Sequence, residues 1–567
     1  MKKACILFMF LTNILFAQKQ TLITNATIID TKNEQILNGQ SILIENDKIV
    51  KIGNNITATS NAKVIDLKGK WVLPGLVDSH IHLFQSGGLY TRPDGLDLRK
   101  YRSYEAERQW LKDNAGDLLK RYLACGITTV IDIGGPLYNF NIRNQFNQET
   151  LSPHIIMTGP LISTYQPEAF KIEDAPIIKA NTPKEARKIV QAQLPQKPDF
   201  IKIWFINATN NHEANLPILE ATIDEATKND LQVAVHATDL RSAKLAIKAG
   251  AKYLVHNVYE AIDEEFIGLM QQFKVTLNPT MIVSLYSGKT YNNSQIISKY
   301  DFQKANPFVI GTLFDLKTLS DTTLINTRMR VVNSNAYKIR RAKVDSVQRV
   351  NLKRLFDAGI NIVVGTDAGN LSVFHGTSFL DELLEMKKAG LSNSQLLKMA
   401  TFNAANIFTK HQNFGAIEEG QLANLLVLNS NPLENLESLH DINTVFNKGQ
   451  EIKPSEILID TPEILAQKQL NGYNARDIEA FLEPYADDVE IYTFPNTLRS
   501  KGKDEMRKSY DTYFKKTPNL HCEIKNRIIQ GNTVIDKEYI TGAGKPFEAS
   551  AIYQIENNKI KRVYFVR

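Results

Sequence analysis

Residues 198–208 read PDFIKIWFINA, and one residue in the run sets the problem: Lys202 stands between Ile201 and Ile203, with Phe200, Trp204 and Phe205 around it. Aromatic and β-branched residues packed into so short a run describe a strand buried on both faces. A lysine there either snorkels from a sheet edge to water or has a chemical task. The segments on either side decide between these readings.

Seven other segments have the same character. In chain order they are GLVDSHIHL (75–83), GITTVIDIG (126–134), HIIMTGPLI (154–162), QVAVHA (232–237), YLVHNVY (253–259), VTLNPTM (275–281) and INIVVGTDA (360–368), with FIKIWF (200–205) as the fourth of eight. Amphipathic helical patterns separate them, which predicts parallel β/α units. Eight such units make an α/β architecture, a (β/α)8 TIM-type barrel over 74–412. Short strands with Asn, Asp, Lys and Gly turn signals occupy 18–73 and again 413–455, so a small β-sandwich formed by both flanking segments is expected. Two long connections, after residue 83 and over 284–335, are expected at the barrel mouth. After a Pro-containing linker, residues 462–567 read as a separate α+β unit ending in a meander.

A chain of 567 residues is too long for one core, and 43% hydrophobic with 23% charged residues is globular rather than disordered. Residues 1–17, MKKACILFMFLTNILFA, have two lysines, an apolar run and a closing small residue, the pattern of a cleavable signal peptide. No later apolar run is long enough to span a bilayer. The expectation is a periplasmic or secreted protein without stable membrane insertion after cleavage. A formal net charge of +6, part of it from the leader lysines, is too mild for a nucleic-acid partner. Beyond the leader only Cys125 and Cys522 remain, so there is no disulfide framework.

His80 and His82, at i and i+2, share one face of their strand. His236 ends the fifth expected strand, His256 lies near the end of the sixth, and Asp367 ends the eighth in VVGTDAG. These residues and Lys202 converge on the barrel face where chemistry is kept. Imidazoles and a carboxylate suit zinc or a similar divalent ion, and five conventional ligands exceed one tetrahedral site. Two divalent ions are therefore expected, and they need a bridge. Burial and neighbouring cations favour a neutral Lys202 amine, which reacts with carbon dioxide to give an N-carboxylysine with one oxygen for each ion. Asp367 is the expected catalytic acid-base group. His375, just after the eighth strand, and Tyr90 with Arg92 in the first long loop are candidate substrate contacts, arginine being suited to carboxylates. His154 opens its strand and so faces the other end of the barrel.

PGLVDSHIHLF, GITTVIDIG, FIKIW, VAVHA, LVHNVY, VVGTDAG, HGTSFLDELLEMKKAGLSNSQLLKMATFNAANIF and GAIEEGQLANLLVLNSNPL together resemble the amidohydrolase superfamily, in particular its imidazolonepropionase-like and prolidase-like secreted members. The resemblance covers about residues 20–455. It implies one ion on His80, His82 and Asp367, a second on His236 and His256, carboxylated Lys202 between them, and hydrolysis of amide, peptide or cyclic amide bonds in a small molecule. Imidazolonepropionase resembles a one-metal version without the bridging lysine, so Lys202 argues against that substrate. Asn424 stands where the family more often has Asp.

Residues 462–567 resemble the SnoaL-like, nuclear transport factor two-like cone fold in NGYNARDIEAFLEPYADDVEIY, SKGKDEMRKSY and NNKIKRVYFVR. That likeness implies a pocket, with Tyr473, Asp487 and Asp488 as candidate polar groups, and a homodimer through this domain. Two other readings stay open. The same metal site serves a lactonase or phosphoester hydrolase, or the chain is a secreted ligand-binding protein working through the C-terminal domain.

Overall fold

The computed structural model describes residues 20–206, 211–319, 322–408 and 413–566. The leader at 1–17 lies outside the described residues. Both flanks of the central unit meet in one sheet of eight strands. Trp71–Pro74 is its hinge piece, parallel to Gln20–Asp30 on one side and antiparallel to Leu425–Leu428 on the other. Gln20–Asp30 also pairs with Lys63–Asp66, so the sheet branches. The expected sandwich is thus a single branched sheet rather than two separate ones. It joins residues far apart in sequence because Ile23, Ile28, Ile44 and Val72 share a core with Leu425, Val427 and Phe446.

The central unit is mixed α/β, with parallel strands and intervening helices consistent with a TIM-barrel-like fold. Leu76–Ile81, Ile127–Asp132 and His154–Met157 form one parallel sheet. Leu161–Ser163, Ile201–Trp204, Val233–His236, Tyr253–Val255 and Thr276–Asn278 run in that order through a second, with Ile177–Lys179 added at its edge. Alternate side chains enter two apolar clusters. Ile201, Ile203, Val233 and Val235 pack toward the helices, whereas Phe200, Ala234, Val77 and Val363 share the inner cluster. Lys202 shares the face of Phe200 and therefore points inward.

Two expected strands differ from their reading. The segment 154–162 breaks at 158–160 into two short strands: His154–Met157 stays with the first sheet, and Leu161–Ser163 lies between Ile177–Lys179 and Ile201–Trp204 in the second. The segment 360–368 is not a regular strand among the described residues. It threads between the first and seventh strands by single bonds: Val363 N donates to Leu277 O (3.0 Å), Ser79 N to Val364 O (2.9 Å), and Asp367 N to His80 O (2.7 Å). Gly365 permits this close passage, since a Cβ there would lie 2.7 Å from the His80 Cβ.

The connection over 284–335 carries helices rather than a polar loop: Ile282–Tyr291, Lys299–Lys304, Pro307–Phe314 and Thr322–Asn333. Tyr291, Leu316, Ile325 and Val332 of this stretch bury against Leu89, Leu96 and Leu98 of the first long loop and Leu371 after the eighth segment. The C-terminal unit has the helices Pro462–Ala475, Ile478–Leu482 and Lys503–Lys516 over a six-stranded sheet with its own core. Its first helix docks on the connection, where Asn471 Nδ2 donates to Pro307 O at 2.7 Å. Cys125 and Cys522 are free and buried. No helix among the described residues is long and apolar enough to cross a membrane.

Candidate metal centre

The strand Leu76–Ile81 is buried at every residue, so His80 enters a dry interior with 1% of its surface exposed. Its Nε2 lies 3.3 Å from Asp367 Oδ1, and His82 Nε2 lies at the same distance from the same oxygen. The rings of His80 and His256 are 5.1 Å apart and those of His236 and His256 4.3 Å apart. Ligand atoms of His80, His256 and Asp367 all fall within 4.8 Å of one another, a candidate metal site. Lys202, 1% exposed, projects into the same group, and its Nζ has no hydrogen-bond partner among the described residues.

Neighbouring groups aim these side chains. His82 Nδ1 donates to Gly134 O at 2.9 Å, and His256 Nδ1 meets Thr280 Oγ1 at 2.6 Å, leaving Nε2 of each ring for the centre. Asn370 Nδ2 donates to Asp367 Oδ1 at 2.6 Å. Asp78, fully buried on the first strand, accepts from Thr366 N (3.0 Å) and Thr366 Oγ1 (2.7 Å), pinning the residue before Asp367. Asp367, His256 and Thr280 all hold left-handed backbone (φ 60, 75 and 43°), a strain that clusters at sites held rigid by their surroundings.

Burial sets the charge states. It holds His80 and His236 well below the ordinary imidazole value and His256 at about 3, so the rings are neutral and can ligate. Burial opposes charge on Asp367, yet its polar contacts with His80 and His82 hold it well below the ordinary carboxylate range. Lys202 is pulled down to about 7 by burial, against the attraction of Asp367. The donor set therefore fits divalent ions: neutral imidazoles, one ionised carboxylate, and a buried amine without a hydrogen-bond partner among the described residues.

Three expected substrate contacts are placed otherwise. His375 is buried, with Nε2 donating to Gln85 O (2.8 Å) and Nδ1 accepting from the Tyr122 hydroxyl (2.7 Å), so neither ring nitrogen is free. The Tyr90 hydroxyl donates to Asp315 at 2.9 Å. Arg92 spends two bonds on Asp94 (2.8 and 2.7 Å) and a third on the Asn370 side chain. Among the described residues its hydrogen-bond link to Asp367 runs through Asn370. Asp78, Thr280 and Asn370 carried no spacing signal of their own. The nearest cue was that Asp78 lies two residues before His80 on a buried strand.

A model of the amidohydrolase family matches residues 71–452, more than half of the chain. The chain belongs to the amidohydrolase family. A SnoaL-like domain matches residues 466–563. Among characterised relatives, the 5-methylthioadenosine/S-adenosylhomocysteine deaminase of Bacillus cereus (strain AH820) is 23% identical over 451 residues, 75% of this chain and 88% of that protein. A solved Xaa-Pro dipeptidase with bound methionine in its active site superposes with a TM-score of 0.57 at 22% identity, over 77% of this chain and 100% of that one. A putative prolidase from Bifidobacterium longum gives 0.56 at 24%, over 76% and 94%. At this identity the structural likenesses carry the fold of the amidohydrolase unit.

Proposed function

We propose that this amidohydrolase is an exported, metal-dependent hydrolase of carbon–nitrogen bonds, acting on an amide, peptide or cyclic amide in a small molecule. The observation that carries the reading is the buried meeting of His80, His82, His256 and Asp367, with His236 beside them and an unsatisfied Lys202 among them. The deaminase and dipeptidase activities named for the similar proteins also break carbon–nitrogen bonds. Export rests on the leader pattern of residues 1–17. A homodimer through the C-terminal domain is part of the proposal, supported by the exposed Leu498, Ile528 and Val566 along its sheet.

His80, His82 and Asp367 would hold one divalent ion, zinc being the choice their donor set favours, and His236 and His256 a second, with carboxylated Lys202 between them. Bound there, the ions would lower the pKa of water and polarise the scissile carbonyl. Asp367 Oδ1 is engaged by Asn370 and lies beside both imidazoles, whereas Oδ2 makes no hydrogen bond among the described residues. Oδ2 is therefore the atom that takes a proton from the attacking water and returns it to the leaving nitrogen as the carbon–nitrogen bond breaks. Asn370, held in turn by Arg92, keeps the carboxylate in one orientation through both transfers. The Gly134 carbonyl fixes the tautomer of His82, and the Thr280 hydroxyl orients the His256 ring.

The test is metal analysis of the purified protein together with turnover of dipeptides and N-acyl amino acids, beside lactones and phosphotriesters. About two ions per chain and carbon–nitrogen hydrolysis lost on chelation are expected. One ion at full activity would remove the bridged pair. Turnover confined to lactones or phosphotriesters would replace the substrate class.

A further inference from the structure

The C-terminal unit encloses a cavity of about 380 Å³, with Tyr473 and Glu538 among its walls. Asp487 and Asp488, two of the expected pocket groups, are on the surface instead, paired with Lys503 and Lys561. Outside the cavity, a line of polar groups with both ends buried runs from the sheet of this unit to the amidohydrolase unit. Asp536, fully buried on the sheet, holds Arg527 through two bonds of 2.7 Å. Arg527 Nη1 donates to Gln467 Oε1 (3.0 Å), Gln467 Nε2 to Asn471 Oδ1 (3.0 Å), and Asn471 Nδ2 to Pro307 O (2.7 Å). Gln467 and Asn471 stand one turn apart on Pro462–Ala475. Each of their amides is used at both ends, so the sheet fixes the direction of the bond that leaves the unit.

Pro307 opens the helix Pro307–Phe314, which connects this line to the metal centre. The two helices pack so closely that a Cβ at Gly311 would lie 2.6 Å from Gln467 Nε2 and 3.2 Å from Asn471 Oδ1. Ile310 and Phe314 share an apolar cluster with Phe374, just after the eighth segment, and with Ala475 and Ala480 of the C-terminal unit. Thr312 faces the first long loop, its Oγ1 accepting from Leu89 N at 2.9 Å. That loop is tied to the turn that carries Asp367: Gly87 N donates to Gly369 O (2.8 Å), Ser372 N to Gly87 O (2.8 Å) and Thr91 Oγ1 to Gly369 O (3.1 Å). Arg92 of the same loop holds Asn370, which donates to Asp367 Oδ1. The residues before the helix are anchored on the amidohydrolase unit itself, Asn306 by Asp117 (2.7 Å) and the carbonyls of Lys304 and Ala305 by Arg121 (2.6 and 3.0 Å). Losing the Asn471 bond therefore loosens the helix without detaching it.

We propose that Asn471 is a positioning residue of the metal centre: the C-terminal unit clamps the helix Pro307–Phe314, and the helix holds, through Thr312, the loop that orients Asp367. Asn471 acts through the helix and the loop and is not itself one of the groups of the centre. Its effect on turnover rests on the hydrolytic reading proposed above; the mechanical link does not. A carboxylate that takes a proton and returns it tolerates little displacement, so a loop shifted by a fraction of an ångström lowers the rate while the ions stay bound. The C-terminal unit is then part of the catalytic apparatus rather than an appended module.

The test is hydrogen–deuterium exchange of the full, metal-loaded chain, with kinetics on the same preparations. Thr312→Val removes the acceptor of Leu89 N and sets the exchange of residues 86–92 when that bond is lost. Asn471→Leu keeps the side-chain volume, removes the donor to Pro307 O, and should speed exchange over 86–92 in the same direction, about 10-fold, with the strand 76–81 unaffected. In both variants kcat should fall about 10- to 100-fold with KM and metal content unchanged. The double variant should be no worse than the worse single one, because both changes cut one path. If Asn471→Leu fails to fold by circular dichroism, Asn471→Ala takes its place. Unchanged exchange over 86–92 in the folded Asn471 variant, or losses of kcat that multiply in the double variant, would overturn the proposal. Exchange needs no substrate, so it decides the link separately; a wild type without turnover of any carbon–nitrogen substrate would refute the hydrolytic reading instead.

Discussion

The metal centre and the C-terminal cavity each bury an ionisable group, and burial brings both to about 7: Lys202 downward and Glu538 upward. Their surroundings differ. Glu538 is the end of a chain of hydrogen bonds that the fold completes by itself, whereas Lys202 Nζ has no hydrogen-bond partner among the described residues. An orphaned buried polar group costs about 1–3 kcal/mol, more when charged. The left-handed backbone at Asp367, His256 and Thr280 adds to that cost on the same side of the molecule. The contrast separates a group that the fold leaves unsatisfied from one that it satisfies itself.

The strongest test of that contrast is at Lys202. Lys202→Arg should abolish turnover, because a guanidinium cannot become a bridging carboxylate and stays cationic beside the ions. Lys202→Ala should be inactive too, yet recover part of its activity with formate, acetate or propionate. A Lys202→Arg protein with near-normal turnover would make Lys202 an ordinary buried lysine and end the comparison.

Next in size is Asp367→Asn, which keeps the volume of the side chain but cannot take the proton. Its kcat should fall roughly 10²- to 10⁴-fold with the fold retained by circular dichroism. Loss of folding in step with activity would assign the residue to structure alone. Asn370→Ala and Thr280→Val remove groups that aim the ligands, and each should cost about 10- to 100-fold in metal affinity or activity, read by competition with a chelator. Unchanged metal affinity and turnover in both would mean that the aiming bonds are incidental.

The smallest effect is on the other side. Glu538 has a folded-state value raised above its unfolded one, so the folded unit holds the extra proton and stability falls as pH rises from the unfolded value toward about 7, then levels. Glu538→Gln cannot ionise, so its melting temperature should decline less between pH 5 and pH 8 than that of the wild type. Identical pH profiles would show that this carboxyl does not feel its burial. Turnover at the metal centre should not change in this variant.

Much of the central unit was legible in the chain because strand side chains alternate and parallel β/α units place every strand end on one face. His80, His82, Lys202, His236, His256 and Asp367 could therefore be gathered from positions alone, without any contact being known. The helices over 284–335 were harder, since their weak periodicity reflects packing against Leu89, Leu96 and Leu371 rather than against one continuous core. His375, Tyr90 and Arg92 had the right chemistry at the right end of the unit, but a residue type says nothing of which partner is nearer. Gln85, Asp315 and Asp94 reach them first.

The sequence by itself determined the order of the strands, the ends at which the ligands stand, and the two-part organisation with a separate C-terminal unit. These follow from local periodicity and chain order, which need no partner. Only the tertiary structure decided that 360–368 runs without a regular ladder, that Asp78 holds Thr366 across 288 residues of chain, and that the donors from Arg527 through Gln467 to Asn471 all point toward Pro307. Hydrogen bonds are short and directional, so which donor meets which acceptor is settled by packing to within fractions of an ångström, and no spacing along a chain carries that information.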